Sequence, residues 1–455
     1  MLDVTTVEDA QRALQDTDAE FVTVGIVDTQ GLLRGKYISR RKFESALRDG
    51  MGVPAVTLGL DFHDVMAADA KVGGADTGYY DATVRVIPES CRVIPWEPER
   101  RQLFFQLEYA DETAAICPRN VLRRVLERAQ ARQLVPVTGL EYEFTLFNET
   151  SDSVVAKAHR DLQVATPHST YYVLQRQSAW AEFYGALIDT CRSLRIGLDS
   201  LHEEMGPGFM EATIQYGPAL RVADDAAVFK SYAKAVAHRR DLLLSFMARW
   251  SNDADGQSGH LHLSFRDADR HAILHDPDAE HGLSATMLHM LGGLQALTPE
   301  LLLMLAPNVN SFKRLVPGIF APIAAFWGVE NRSCALRVIP GTPGSTRVEC
   351  RVPGADANPY LVLAALIGAG LVGIERELDP GPSLERDAYA TEIPEHLAFP
   401  ATFRDGIDRF RASAVARDLF GDTFVDHYAD TRAFQEREFR ALVTDRELER
   451  FFELA

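Results

Sequence analysis

Four short segments of the sequence carry chemically able side chains on one phase of an alternation. In Gly139–Phe147, GLEYEFTLF, the residues Glu141, Glu143 and Thr145 alternate with Leu140, Tyr142, Phe144 and Leu146. In Glu211–Tyr216, EATIQY, the polar phase is Glu211, Thr213 and Gln215. In Gly259–Phe265, GHLHLSF, it is His260, His262 and Ser264; in Arg347–Val352, RVECRV, it is Arg347, Glu349 and Arg351. Alternate residues of a strand share a face, so each segment predicts a strand with an apolar back and a polar front. Glu204, in HEEMGPGFME, is separated from Glu211 by a Gly-Pro-Gly turn signal, so the two can meet across a hairpin. Singly, each segment also suits a half-solvated strand, and Arg-Glu-Arg a weak surface ladder. Together they describe a cleft lined by Glu, His and Arg. Oxygen-rich donors with a histidine suit a hard or borderline dication, Mg2+ or Mn2+. Neighbouring arginines suit phosphate and carboxylate groups. Phosphoryl transfer needs that combination. The chain has no GxxxxGK[ST] and no GxGxxG between strand and helix, which disfavours a P-loop or dinucleotide-binding fold.

The elements that must hold this cleft can be read around it. Phe21–Val27 and Leu103–Leu107 read as strands, with an amphipathic segment at Arg41–Arg48 between them. Residues 20–110 therefore predict a small α+β unit. Helical spacing begins near Pro118, with Val121, Leu122, Val125, Leu126 and Ala129 on one face, and a domain boundary is expected at Asp111–Cys117. Asp225–Trp250 and Ala285–Leu305 read as helices. Tyr360–Ile374 is apolar all round but too short for a membrane span, which needs about 20 residues; it predicts a buried core helix. The C-terminal stretch alternates charges with aromatics, as in exposed helices closing the domain or an oligomer contact.

Composition narrows the partners. The 455 residues carry 47 Lys+Arg against 65 Asp+Glu, a net charge of −18. That balance argues against a nucleic-acid backbone and against an anionic membrane surface, both of which select for basic residues. Cys91, Cys117, Cys191, Cys334 and Cys350 are far apart and form no CxxC, which fits a reducing cytoplasm better than a disulfide framework. The N-terminal MLDVTTVEDA shows no signal-peptide pattern.

In chain order, VDTQGLLRGKY, GLEYEF, HEEMGPGFME, GHLHLSF, NSFKRLVPG, ENRSCALRV and RVECRVPGADANPYL resemble motifs of the type I branch of the glutamine synthetase superfamily, over nearly the whole chain. The resemblance implies an α+β architecture: a β-grasp N-terminal domain (residues 1–111) and a C-terminal catalytic domain with a curved antiparallel sheet (residues 112–455). It implies stacked hexameric rings with sites between neighbours. It implies Glu143, Glu204 and Glu211 as ligands of a first metal site, and Glu141, His260 and Glu349 of a second, for two or more Mg2+ or Mn2+ ions. His262 and Ser264 match nucleotide contacts, and Arg332, Arg337 and Arg347 match residues around the ATP phosphates. Gly256, Arg314 and Arg351, with Glu143, match the glutamate site. Arg332 and Glu204 match catalytic positions. The family reaction phosphorylates the γ-carboxylate of glutamate with ATP, after which an amine displaces phosphate.

The sequence departs from the ammonia-using members at the amine end. Those members follow LVPG with Tyr and Glu; here the string is LVPGIFAP, with Ile319 and Phe320 in those places. The segment matching a second ammonium-binding acid, Gly52–Gly59, has no carboxylate, and Asp81 matches a nearby acid better. Asp255 stands where Asn is usual, before Gly256. Phe326 and Trp327 add aromatic surface that could enlarge an amine pocket. Tyr389 lies near the place of a regulatory tyrosine in some relatives, but in a different string, and takes no role. These departures predict a γ-glutamylamide ligase for a small organic amine, an alkyl or aromatic monoamine in particular. The alternatives are glutamine synthetase using ammonia, polyamine γ-glutamylation, and a catalytically silent structural paralogue.

Overall fold

The computed structural model describes residues 3–68, 71–169, 171–318 and 320–455. The chain begins with β1 (Phe21–Val27), β2 (Leu33–Ser39), β3 (Met51–Pro54), β4 (Asp81–Val86), β5 (Arg92–Val93) and β6 (Leu103–Tyr109). They form one sheet ordered β2-β1-β6-β4-β3, with β5 paired to β6. The β1–β6 pair is parallel and the other pairs are antiparallel. Helices α1 (Val7–Asp16) and α2 (Arg40–Asp49) cover it, α1 started by a capping box at Thr6 and Asp9. This is the expected β-grasp unit, with its own core around Phe43, Phe105 and Tyr109.

A second sheet builds the larger part. Its strands are β7 (Leu134–Phe147), β8 (Leu198–Glu203), β9 (Phe209–Pro218), β10 (Leu243–Ser245), β11 (Leu261–Asp267), β12 (Trp327–Val329), β13 (Leu336–Ile339) and β14 (Arg347–Cys350). The order is β12-β13-β14-β11-β7-β9-β8, with β10 on the edge of β7. All pairs are antiparallel except β12–β13. The alternation read from the sequence is the alternation of this sheet: Leu140, Tyr142, Phe144 and Leu146 are buried behind it, as are Leu261, Leu263 and Phe265.

The helices are α3 (Pro118–Ala131), α4 (Ser151–Ala156), α5 (Leu174–Ala179), α6 (Ala181–Ser193), α7 (Ala219–His238), α8 (Ala285–Leu305), α9 (Val309–Phe312), α10 (Pro359–Arg376), α11 (Phe403–Ala412), α12 (Ala414–Phe420), α13 (Asp422–Ala441) and α14 (Asp445–Phe451). The apolar back of the sheet packs on helices of this set, α7 foremost. The expected helix across Asp225–Trp250 stops early. It ends at His238, Asp241 takes a left-handed conformation, and Leu243–Ser245 becomes β10 because the edge of β7 offers it unpaired backbone groups. The apolar segment is α10, long and apolar enough to cross a membrane yet buried from Pro359 to Gly373 inside the protein. It meets α8 backbone to backbone: a Cβ on Gly293 would collide with the Ala369 carbonyl, and one on Gly373 with that of His289.

The two parts are joined by buried polar bonds. Arg432 on α13 donates to Gln30 Oε1 (2.5 Å) and to the Thr29 carbonyl (3.1 Å). Arg119 on α3 bridges Glu108 of β6 and Asp224 of α7 at 2.7 and 2.9 Å. These bonds fix the small sheet against the helical side of the large one.

Candidate active site

The front of the large sheet carries the polar phases of β7, β9, β11 and β14, and register decides who meets whom. Glu143 stands opposite Glu211 across the β7–β9 pair. His202 stands opposite Glu211 across β8–β9, and His262 opposite Glu349 across β11–β14. Past the end of β8, the Glu204 N–H donates to the Phe209 carbonyl at 2.8 Å, which closes the hairpin and brings Glu204 beside Glu211.

The result is one cavity of about 550 Å3 lined by Glu141, Glu143, Glu204, Glu211, Gly256, His260, His262, Phe320, Arg332, Arg337, Arg347, Glu349 and Arg351. Two residues expected there are elsewhere. Ser264, one repeat further along β11, lies in an adjoining groove of about 310 Å3 that shares Glu141, His262 and Arg347 with the cavity. Arg314 lies beneath the wall, 1% exposed, donating to the Val352 carbonyl (2.8 Å), Ser258 Oγ (2.7 Å) and the Arg351 carbonyl (2.9 Å). Its side chain also explains Gly256, since a Cβ there would overlap Arg314 Cγ.

The charges interlock. His260 Nδ1 is 3.3 Å from Glu141 Oε2 and 3.5 Å from Glu349 Oε1, while His262 Nε2 is 3.0 Å from Glu141 Oε1. Arg347 Nε donates to His262 Nδ1 at 3.0 Å. Glu349 accepts from Arg337 (3.0 Å) and Arg351 (2.5 Å). Burial would raise Glu141, but its hydrogen bonds with both histidines outweigh this and hold it well below the usual carboxylate range. Burial likewise opposes ionisation of Glu349, yet His260 and Arg351 bring it down to about 2. Glu211 goes the other way. Burial, with the charges of Glu141, Glu143, Glu204 and Glu349 facing it, pushes it up to about 10.

Among the described residues, three groups of donors could hold a divalent cation: Glu141, Glu211 and His260; Glu141, His262 and Glu349; and His202, Glu204 and Glu211. The fit is chemical as well as spatial. The buried Nε2 of His260 has no hydrogen-bond partner, and a dication would relieve the repulsion at Glu211. The expected trio of Glu141, His260 and Glu349 meets through His260 Nδ1, 3.3 and 3.5 Å from the two carboxylates. Glu143, expected with Glu204 and Glu211, belongs to none of the three groups; its Oε2 accepts the Ser258 N–H at 2.5 Å, and His202 lies beside Glu204 (2.9 Å) and Glu211 (3.5 Å).

The amine end also differs in part. Phe320 lines the cavity, 57% exposed, with a left-handed backbone at φ 54°. Ile319 lies outside the described residues. Phe326 and Trp327 do not add to the pocket: both are buried in the protein, and the Trp327 indole N–H donates to the Gly381 carbonyl at 3.2 Å. Their apolar area is spent on the core. Asp81 is exposed on β4, Gly52–Gly59 forms β3 and a short turn of helix, and neither lines this chain's own cavity. Tyr389 holds the segment after Phe320 by donating to the Ala321 carbonyl at 2.9 Å. Asp255 lines the wall, raised by burial and the Glu143 charge.

Sequence reading missed Tyr171, Tyr172, Met205 and His202. The two tyrosine rings stack with centroids 4.0 Å apart, Tyr172 meets His202 edge-on at 4.7 Å, and both tyrosines line the cavity with Met205. His202 could have been found, because it shares strand parity with Glu204.

Residues 115–451 match the family model described as glutamine synthetase, catalytic domain. A type-1 glutamine synthetase 2 of Dictyostelium discoideum is 35% identical over 443 residues, covering 95% of this chain and 84% of the relative. Gamma-glutamylethanolamide synthetase GlnA4 of Streptomyces coelicolor is 33% identical over 450 residues, covering 98% and 96%. A solved structure described as apo GmaS without ligand superposes with a TM-score of 0.83 at 26% identity, covering 97% of this chain and 98% of that one.

Proposed function

This chain belongs to the glutamine synthetase family and is an ATP-dependent carbon–nitrogen ligase that joins glutamate to an amine, and from that premise we propose that its amine is a small organic monoamine rather than ammonia. The observation that carries this is Phe320. It stands in the cavity wall where ammonia-using relatives carry Glu, so the place that would attract ammonium offers an apolar face. Tyr171, Tyr172 and Met205 extend that apolar surface, which suits the body of an organic amine. The relative named for ethanolamide synthesis supports an organic amine.

In this reading the γ-carboxylate of glutamate attacks the γ-phosphorus of ATP, ADP leaves, and an acyl phosphate forms. The amine nitrogen then attacks the acyl carbon, phosphate departs, and the amine proton passes to Glu204, which His202 holds at 2.9 Å. Arg332, Arg337 and Arg347 face the phosphoryl group and draw off its charge. Arg351 and Gly256 shape the glutamate end, and Arg314 braces both from behind. Divalent cations held by the three donor groups would neutralise phosphate oxygens. The groove with Ser264 and the exposed Tyr216 suits the nucleoside. We also propose units at 1–111 and 112–455, a cytoplasmic setting, and assembly in stacked hexameric rings.

The test is turnover of glutamate and ATP with a panel of amines, followed by phosphate release. The expected result is greater kcat/KM with at least one alkyl or aromatic monoamine than with ammonia, and a gain in relative ammonia use in Phe320→Glu. Ammonia as the best substrate of the unaltered protein would refute it.

A further inference from the structure

A second cavity, of about 690 Å3, lies away from the polar front of the sheet, bounded by the small sheet, α7, β10, and the loop before α9. Its walls are largely apolar, with Leu33, Leu244, Phe246 and Phe439 among them. Two lysines one helical turn apart on α7, Lys230 and Lys234, also line it. Neither has an ion-pair partner among the described residues. Lys230 is buried, donates to the Ala357 carbonyl at 2.9 Å, and lies over the rings of Tyr142 and Phe246. Lys234 sits over Phe246 with its side chain exposed. Burial lowers Lys230 to about 7, with the Lys234 charge adding to the shift and the Asp356 carboxylate opposing it. Two acceptors, one a carboxylate and one a neutral amide, line the same walls. Asp356 Oδ1 and Gln435 Oε1 are buried without a hydrogen-bond partner, although Asp356 Oδ2 accepts from Asn308 (2.8 Å) and Ser311 (2.6 Å). Such groups are costly to leave unpaired.

We propose that this cavity binds a hydrophobic α-amino acid, its carboxylate on Lys230 and Lys234, its ammonium group on Asp356 and Gln435, and its side chain among the apolar walls. One ligand then satisfies two cations and two orphaned acceptors, and the cavity has the size of a small-molecule site. The site is built into the wall of the active centre. Gln257 donates to the Ser245 carbonyl (3.2 Å) and to that of Met247, both on this cavity, while its neighbours Gly256 and Ser258 form the catalytic wall. Occupancy therefore bears on the loop that holds Glu143.

The experiment is calorimetric titration of the full chain with L-phenylalanine, under saturating L-glutamate so that the catalytic cavity is filled. Saturable binding is expected, weakened at least tenfold in Lys234→Met and in Asp356→Asn. Both variants should keep the turnover of the unaltered protein in the absence of L-phenylalanine. No binding under saturating glutamate, or binding untouched by either substitution, would overturn the proposal. Equal affinity for 3-phenylpropanoate, which lacks the ammonium group, would overturn the amino-acid assignment. Both substituted side chains are at least partly exposed or isosteric, and a thermal midpoint near that of the unaltered protein checks the fold.

Discussion

Replacing Glu349 by Ala and by Gln separates a structural carboxylate from a chemical one. Its side chain is 3% exposed and lies between Arg337 at 3.0 Å and Arg351 at 2.5 Å, with His260 at 3.5 Å. Alanine strands two guanidinium groups in a buried wall, a loss of about 3–5 kcal/mol for a broken buried pair. An unfolding entropy of about 2.1 cal/mol/K per residue, over 455 residues, amounts to about 1 kcal/mol/K. The midpoint should therefore fall by about 3–5 °C if the chain unfolds as one unit. Arg337 and Arg351 donate to different oxygens of Glu349, and glutamine keeps only one of these acceptors, so its midpoint should fall less than that of alanine, by about 2–3 °C. Activity should not follow stability. Both variants lose the negative charge that helps hold a dication against phosphate, and phosphate release should fall at least ~100-fold in each. The assay is steady-state phosphate release with glutamate, ATP and the best amine across a range of Mn2+, beside calorimetric midpoints. Glu349→Gln within tenfold of the unaltered protein would refute the assignment of this carboxylate to the phosphoryl-transfer centre.

Arg314→Lys keeps a charge but loses the fork that bonds Val352, Ser258 and Arg351; stability should fall by about 2–4 kcal/mol and KM for glutamate should rise, and an unchanged KM would leave the arginine a purely mechanical brace. Lys230→Met tests a pH effect with a definite sign. The folded-state pKa, about 7, lies below the ordinary 10.5, so the buried cation destabilises below pH 7 and the penalty fades as pH rises through 10.5. Methionine should stabilise at pH 6 by a few kcal/mol, less the lost bond to Ala357, and by clearly less near pH 10. Equal effects in urea unfolding at both pH values would contradict a charged, buried Lys230.

Alternation made the four chemical strands legible, because a strand buried on one side must place every second residue in the core. Ala285–Leu305 was equally plain, being apolar over most of its length. The end of α7 was not. Residues 239–250 are apolar enough for a helix, and only the free edge of β7, supplied by a distant part of the chain, turns Leu243–Ser245 into a strand. Phe326 and Trp327 show the same limit. Their type suggested a pocket, but the packing that buries them belongs to segments far along the chain. Tyr171 and Tyr172 carry no periodic signal, since they sit in a loop that is held to the cavity by the end of β8, where the Tyr172 N–H donates to the Glu203 carbonyl at 3.3 Å. The Asp356–Gln435 acceptors and the α7 lysines meet only in three dimensions.

The cavity is built of two materials. Glu141, Glu143, Glu211, Arg337, Arg347 and Glu349 stand on hydrogen-bonded strands, while Phe320, Tyr171, Tyr172 and Met205 stand on loops. A point change on a strand disturbs register and the charges of several neighbours at once. A change on a loop alters one patch of wall and leaves the rest standing. The chain can therefore acquire a new nucleophile by drift at a few loop positions while its phosphoryl chemistry stays under constraint. A library confined to 171, 172, 205 and 320 is accordingly the shortest route to redirecting the enzyme.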